Sequence, residues 1–154
     1  MTRGRRHRWG ALLRHNAAAI RQLEAWLPVG PGAWDFSRKA AAGYVLHNIY
    51  NALENCFEQI SRSFENHVVD DGKWHAELLG KMFLNMEGLR PPLFPSELRP
   101  LLNDLRGFRH VFRHGYGIDL DEAKLERLLL DWKRGRQAVL DAIEAFAVRL
   151  SKVG

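Results

Sequence analysis

Two arginines and two histidines fall within six consecutive positions, Arg109 to His114, in the segment RHVFRH. An arginine fork suits phosphate, because its planar guanidinium donates two parallel hydrogen bonds. A histidine that titrates near neutrality can act as a general base and a general acid. No acidic residue lies between positions 108 and 117. The segment therefore predicts a site for an anion such as phosphate, with acid–base chemistry beside it.

A stripe of cationic and titratable residues is expected on one side of a helix, at spacings of i, i+3, i+4 and i+7: Arg106, Arg109, His110 and Arg113. Like charges at these spacings repel by a few tenths of a kcal/mol per pair. The nearest acid, Asp104, lies about 160° around the helix from Arg106. An acid from the second or last helix, another subunit or a bound anion must balance the stripe, and the sequence leaves these three alternatives open.

His110 and His114 have the i, i+4 spacing of a two-ligand metal site. Three arginines and no carboxylate or thiol adjoin them, so we predict no metal and no cofactor. Arg109 and His114 are five residues apart, about 140° around an ideal helix. They can act on one phosphate if the helix ends at His114, as Gly115 and Gly117 suggest, or if two copies of the segment face each other across a dimer.

Apolar residues recur at helical steps along the whole chain, and no strand-like alternation interrupts them. We predict an all-α fold, an antiparallel helical bundle of four main helices plus a short one. The first helix is expected from about Arg6 to Trp26, with Trp26 on its inner side. The second begins near Ser37 and buries one face, formed by Leu46, Ile49, Leu53, Cys56, Phe57, Ile60 and Phe64.

Local signals place the remaining helices. Residues 74–86 predict the short helix, and Ser96 is the expected N-cap of the next one, which carries the cationic stripe. Asp119 and Glu122 have the spacing of a capping box and are expected to open the last helix.

Length and charge limit the class of protein. The 154 residues suit one domain, 1–154, with a basic N-terminal tail over residues 1–8 that either reaches along RNA or is a solvated terminus. The net charge is +5, which favours an anionic partner such as nucleic acid. The one cysteine, Cys56, excludes an intrachain disulfide. No apolar run is long enough for a membrane span and no signal peptide is evident, so we expect a cytoplasmic protein.

The segment from Arg109 to His114 resembles the R-φ-x(3)-H signature of HEPN-domain ribonucleases, with His110 at the φ position. Its extension to Tyr116 gives R-x(4)-H-x-Y, which is similar to the HepT-like toxins of the HEPN/MNT toxin–antitoxin class. HNIYNALENCFEQI at 47–60 and WHAELLGKM at 74–82 also resemble segments of these proteins. The resemblance covers roughly residues 10–150.

This resemblance implies a homodimeric HEPN-like bundle and a metal-independent endoribonuclease. Arg109 and His114 would be catalytic, and Tyr116 would accept AMP from a partner nucleotidyltransferase antitoxin of the MNT type. Arg106, Arg113 and His110 would support the site or contact RNA. Three further histidines are interpreted as structural or surface groups: His47, His67 and His75. The alternatives are a non-catalytic HEPN-like binding module and an unrelated helical bundle that binds a small ligand or nucleotide.

Overall fold

A computed structural model of the chain describes residues 3–64, 74–114 and 120–152. It confirms the all-α bundle of four main helices and one short one. The helices are α1 (Arg3–Glu24), α2 (Phe36–Phe64), α3 (Trp74–Lys81), α4 (Arg99–His114) and α5 (Glu122–Lys152).

The helix directions alternate, as expected for an antiparallel bundle. Arg14 pairs with Glu144 at 3.1 Å near one end of the α1–α5 contact, and Glu24 pairs with Arg136 near the other. The residue numbers change in opposite senses, so α1 and α5 are antiparallel. In the same way, Gly43 of α2 lies beside Phe112, whereas Asn51 contacts Arg109, so α2 and α4 are antiparallel.

The core is built on the apolar face of α2, which the 3–4 spacing predicted. Six of its seven predicted inner residues are buried, and Phe64 packs against the core at its edge. Trp132 of α5 is 1% exposed and supplies the largest buried side chain. The phenyl rings of Phe57 and Phe94 meet edge to face at 5.7 Å, which joins α2 to the loop before α4.

The predicted inward position of Trp26 is wrong. α1 ends at Glu24, and Trp26 lies in the following turn with 77% of its surface exposed. The inner position at this end of α1 belongs instead to Glu24, whose carboxylate accepts hydrogen bonds from Trp132 and Arg136 of α5.

The short helix is shorter than predicted: α3 ends at Lys81 and not at residue 86. Arg90, which is 4% exposed, donates from Nη2 to the carbonyl of Lys81 at 2.9 Å. The last carbonyls of a helix have no amide from a following turn to bond with. The buried guanidinium supplies the missing donor for one of them, Lys81.

Two predicted caps are also wrong. Ser96 opens a single 3₁₀ turn, Ser96–Leu98, which Pro95 precedes without any side-chain cap, and α4 starts only at Arg99. At α5, Asp121 is the cap: its Oδ1 accepts from the Lys124 amide at 3.1 Å. Asp119, the first member of the predicted capping box, lies outside the described residues.

Two further predictions concern the basic N-terminal tail and a membrane span. Residues 3–8 of the predicted basic tail form the first turns of α1. Of the helices that the structure describes, none is both long and apolar enough to span a membrane.

Candidate functional site

The C-terminal half of α4 lies close against α2. Leu102 and Leu105 are fully buried and anchor α4 in the core. Near its end, the ring of Phe112 approaches Gly43 so closely that a Cβ there would lie 2.6 Å from Phe112 Cε2. A glycine is therefore needed at position 43 for this approach. The close approach brings the polar residues of α4 within hydrogen-bonding reach of α2.

Arg109 points into this interface between α4 and α2. Its Nε donates to Asn51 Oδ1 at 2.6 Å, and its Nη2 lies 3.9 Å from Glu54 Oε1. The Arg109 side chain is 13% exposed. Of the alternatives for balancing the stripe, an acid from the second helix therefore applies to Arg109.

Glu54 contacts two side chains, Arg109 and His75. Its side chain is 8% exposed, and its second oxygen, Oε2, accepts from His75 Nδ1 at 2.8 Å. The ring of His75 also stacks on Trp74 with their centroids 4.1 Å apart. Through Glu54, the first turn of α3 is connected to Arg109 on α4.

His47 completes the group on the other side. Asn51 Nδ2 donates to His47 Nε2 at 3.2 Å, so one amide bridges His47 and Arg109. The His47 and Phe112 rings lie 5.2 Å apart. Burial lowers the pKa of His47, and the positive charges of Arg109 and Arg113 lower it further. His47 is therefore neutral at neutral pH. We call these five residues, Arg109, Asn51, Glu54, His75 and His47, the Arg109 cluster.

Three buried polar atoms in and beside the cluster have no hydrogen-bond partner among the described residues. They are Tyr50 Oη, His47 Nδ1 and Arg106 Nε, all of which are buried. Burial first, and then the charge of Glu54, raise the pKa of Tyr50, so its hydroxyl keeps its proton. Because buried polar groups usually have partners, this region retains more hydrogen-bonding capacity than the described residues use.

The rest of the predicted site faces outward. His110, Arg113 and His114 are exposed, and the His110 and His114 rings lie 4.6 Å apart. α4 is helical up to His114, where the sequence predicted its end. Among the described residues, no contact joins His114 to Arg109. Tyr116, Gly115 and Gly117 lie outside the described residues.

A family model described as HepT-like protein matches residues 41–150. The chain belongs to the HepT-like family of HEPN-domain proteins. No curated protein and no solved structure matched the chain. The HepT-like match includes every residue of the Arg109 cluster, whereas α1 lies outside it.

The sequence motif singled out Arg109 and His114 as site residues, but it did not indicate Asn51 and Glu54, which contact Arg109 in the structure. The sequence also favoured a structural or surface role for His47 and His75, and both lie in the Arg109 cluster. A signal was present, because Asn51 and Glu54 are three residues apart on α2, and Glu54 sits between the buried Leu53 and Cys56. A carboxylate in such a run needs a cationic partner.

The described residues contain no group of three or more His, Cys, Asp and Glu side chains that could hold a metal ion. The functional groups of this HepT-like site are one oriented guanidinium, one buried carboxylate and several imidazoles. Such a set can bind a phosphate and move a proton.

Proposed function

We propose that this HepT-like protein is the toxin of a toxin–antitoxin pair, acting in the cytoplasm as an endoribonuclease that needs no metal ion. The observation that carries the proposal is the hydrogen bond from Arg109 Nε to Asn51. It fixes the arginine of an R-x(4)-H motif in a chain whose family is ribonuclease-related.

Arg109 is proposed to hold the scissile phosphate. With Nε bonded to Asn51, the plane of the guanidinium is set before any substrate arrives. The Nη groups can then donate to two phosphate oxygens, and they stabilise the additional negative charge of the transition state. Glu54 lies far enough from Nη2, at 3.9 Å, to orient the cation while leaving its hydrogens available for RNA.

His114 is proposed to transfer the proton. The 2′-oxygen of the RNA attacks phosphorus, and its proton goes to a neutral imidazole. The bond from phosphorus to the 5′-oxygen breaks, and that oxygen takes up a proton from an imidazolium. The products are a 2′,3′-cyclic phosphate and a 5′-hydroxyl, so no covalent enzyme intermediate forms.

A homodimer is proposed to bring the groups together. Within one chain, Arg109 faces α2 and His114 faces solvent, about 140° away around α4. If two α4 ends meet, the His114 of one copy can face the Arg109 of the other, and the two histidines can share the roles of base and acid. The exposed His110 and Arg113, together with Arg106, would line this cleft and contact the RNA backbone.

Neutralisation is proposed to occur by AMP transfer. A partner nucleotidyltransferase antitoxin would attach AMP to the Tyr116 hydroxyl, two residues after His114, and release pyrophosphate from ATP. The added phosphate would compete with RNA phosphate for the same arginines.

The first test is RNA cleavage in EDTA by the wild type, Arg109→Ala and His114→Ala. We expect cleavage by the wild type only, with 2′,3′-cyclic phosphate ends on the products. His15→Ala is the matched control, because His15 is an exposed histidine on α1, outside the family match. Activity that survives His114→Ala would overturn the assignment.

A second test concerns Tyr116. After co-expression with a nucleotidyltransferase antitoxin, the intact mass of the wild type should increase by one or more AMP units. Tyr116→Phe should show no increase. A gain of AMP by that variant would place the modification elsewhere.

One observation favours the alternative, a non-catalytic HEPN-like binding module. Arg109 already has an internal counter-charge in Glu54, so its positive charge does not by itself require RNA. Under this alternative the folded wild type, free of AMP, would cleave no RNA in EDTA.

A further inference from the structure

The ends of three helices meet at one end of the bundle. Arg6 of α1, Phe64 of α2 and Arg149 of α5 line one cavity there. The rings of Phe64 and Phe146 pack at 6.0 Å, which joins α2 to α5. At Gly10, a Cβ would lie 3.6 Å from the Ala147 carbonyl, so α1 and α5 approach each other closely at this end. The first turns of α1 and the last turns of α2 and α5 therefore form one surface.

This surface carries a concentrated positive charge. Seven cationic side chains lie within segments 3–13, 59–64 and 145–152, which contain no acidic residue: Arg3, Arg5, Arg6, Arg8, Arg62, Arg149 and Lys152. We call these seven residues the cationic pole. Most of them are exposed, and Arg6 is half-buried. In the described part of the chain, none of the seven forms an ion pair.

Nearby acids do not cancel this charge. Glu58 lies one turn before Arg62 on α2, and Glu87 adjoins the loop residue Gly88 that borders the same cavity. Neither makes an ion pair with the pole in the described structure. Segment 65–73, which contributes three acids and one lysine, lies outside the described residues.

The pole works against the stability of α1. Arginines at the start of a helix oppose its dipole, and no acid occupies the first turn of α1. Arg3 and Arg6 are also three residues apart, as are Arg5 and Arg8, so each pair repels by a few tenths of a kcal/mol. A bound polyanion would relieve both effects.

We propose that the cationic pole is a second RNA-binding surface, which holds the backbone of the substrate at a distance from the catalytic groups. This inference rests on the proposed ribonuclease function, because that function makes RNA the polyanion. Arg62 is eleven residues from Asn51 along α2, about 16 Å at 1.5 Å per residue. A stacked strand at about 3.4 Å per nucleotide covers that distance in roughly five nucleotides. The pole therefore favours long substrates over short ones.

The test measures binding separately from cleavage. The probe is an unstructured 2′-O-methyl RNA oligonucleotide, which lacks the attacking hydroxyl, titrated in EDTA at several salt concentrations. The pole variant is Arg3→Gln/Arg5→Gln/Arg8→Gln. The matched control, Arg21→Gln/Lys133→Gln/Arg134→Gln, removes three cations elsewhere on α1 and α5.

For the pole variant, the slope of log K against log salt should become shallower by about 2, because each phosphate that the protein no longer neutralises accounts for roughly 0.7 of the slope. The control should keep the wild-type slope. Thermal unfolding of the pole variant should occur at the same temperature or higher, because the substitutions remove only unfavourable charges, so weaker binding would not reflect misfolding.

Two results would overturn the proposal. Equal slopes for the pole variant and the control would show that the change in RNA binding comes from net charge alone. Equally tight, pole-dependent binding of an acidic peptide with the same charge would assign the surface to a protein partner.

Cleavage of natural RNA gives an independent test of whether the cationic pole binds the substrate. In the pole variant, KM for a long RNA should rise while cleavage of a dinucleotide is unchanged, because a dinucleotide cannot reach the pole. If no RNA is cleaved by any variant, the proposed function fails, while the difference in salt slope still decides whether the pole binds RNA.

Discussion

Among the arginine–glutamate pairs that join helices in the described structure, Arg136–Glu24 and Arg109–Glu54 differ in how completely they are bonded. Between α5 and α1, Arg136 donates to both oxygens of Glu24, and Trp132 Nε1 adds a third hydrogen bond at 3.2 Å. Between α4 and α2, Arg109 Nη2 stays 3.9 Å from Glu54, which bonds to His75 instead. The first pair is closed, and the second is open.

The closed pair, Arg136–Glu24, has no hydrogen-bonding need that a ligand would meet, because neighbouring donors already bond to both carboxylate oxygens. In the Arg109 cluster, by contrast, the guanidinium is oriented by Asn51 yet only loosely paired, and polar atoms near it find no hydrogen-bond partner in the described part of the chain. Buried charge that is positioned but not saturated is typical of a site that binds a charged substrate. We therefore interpret Arg136 as structural and Arg109 as functional.

The largest expected difference between the pairs comes from replacing each arginine with lysine. Arg109→Lys should lower the rate of RNA cleavage by about 10²-fold, because an ammonium cannot bond Asn51 and two phosphate oxygens in one plane. Arg136→Lys should leave cleavage within about twofold and lower the free energy of unfolding by about 1 kcal/mol. Initial rates in EDTA and urea unfolding measure the two effects. A similar loss of activity in both variants would remove the distinction.

Neutralising each glutamate gives a smaller but sharper contrast. Glu54→Gln should slow cleavage by about tenfold, since Arg109 loses the charge that orients it. RNA binding should stay equal or become tighter, because an uncompensated cation attracts phosphate. If Glu54 only stabilised the fold, Glu54→Gln would not slow cleavage while leaving RNA binding equal or tighter. Glu24→Gln should lower the free energy of unfolding by about 2 kcal/mol and leave the cleavage rate unchanged. Single-turnover rates and RNA titrations measure cleavage and binding, and urea unfolding measures stability.

Two glycines extend the comparison to the ends of α4. At Gly43, an added Cβ would meet the rigid ring of Phe112 at 2.6 Å, so Gly43→Ala should displace the end of α4 and slow cleavage several-fold. At Gly135, the Cβ would meet Leu101 Cδ2 at 2.5 Å, the end of a flexible side chain. Gly135→Ala should keep full activity, because Leu101 can shift and alanine favours the helix by about 0.5–1 kcal/mol. Full activity of Gly43→Ala would show that α4 tolerates the displacement.

The sequence predicted the bundle because apolar spacing on α2, α4 and α5 is regular and decides which faces are buried. It placed Trp26 wrongly, because helix periodicity continues past the residue where α1 ends. The end of α3 was missed for a different reason. Arg90, nine residues after Lys81, reaches back to the carbonyl of Lys81, and no local pattern encodes that hydrogen bond.

The candidate site was predicted only as far as one helix allows. Arg109 and His114 stand out because they share a short segment of α4. Asn51, Glu54 and His75 are connected to Arg109 only once α2, α3 and α4 pack together, since the connections are hydrogen bonds between residues 21 and 58 positions apart. Spacing rules apply within one helix, so they cannot pair residues from different helices.

The smallest expected effect is the pH dependence that His47 gives to the open cluster. Its pKa in the folded state lies below the ordinary value of 6.5, chiefly because of burial. Well above pH 6.5, His47 is neutral in both the folded and the unfolded state and adds no pH dependence. As the pH falls from there towards the folded pKa, only the unfolded state takes up the proton, so the free energy of unfolding falls by at most about 1.4 kcal/mol per pH unit. His47→Gln should flatten this part of the curve in urea unfolding measured at a series of pH values. Parallel curves for the wild type and His47→Gln would show that the histidine in the open cluster accepts a proton as readily as an exposed one.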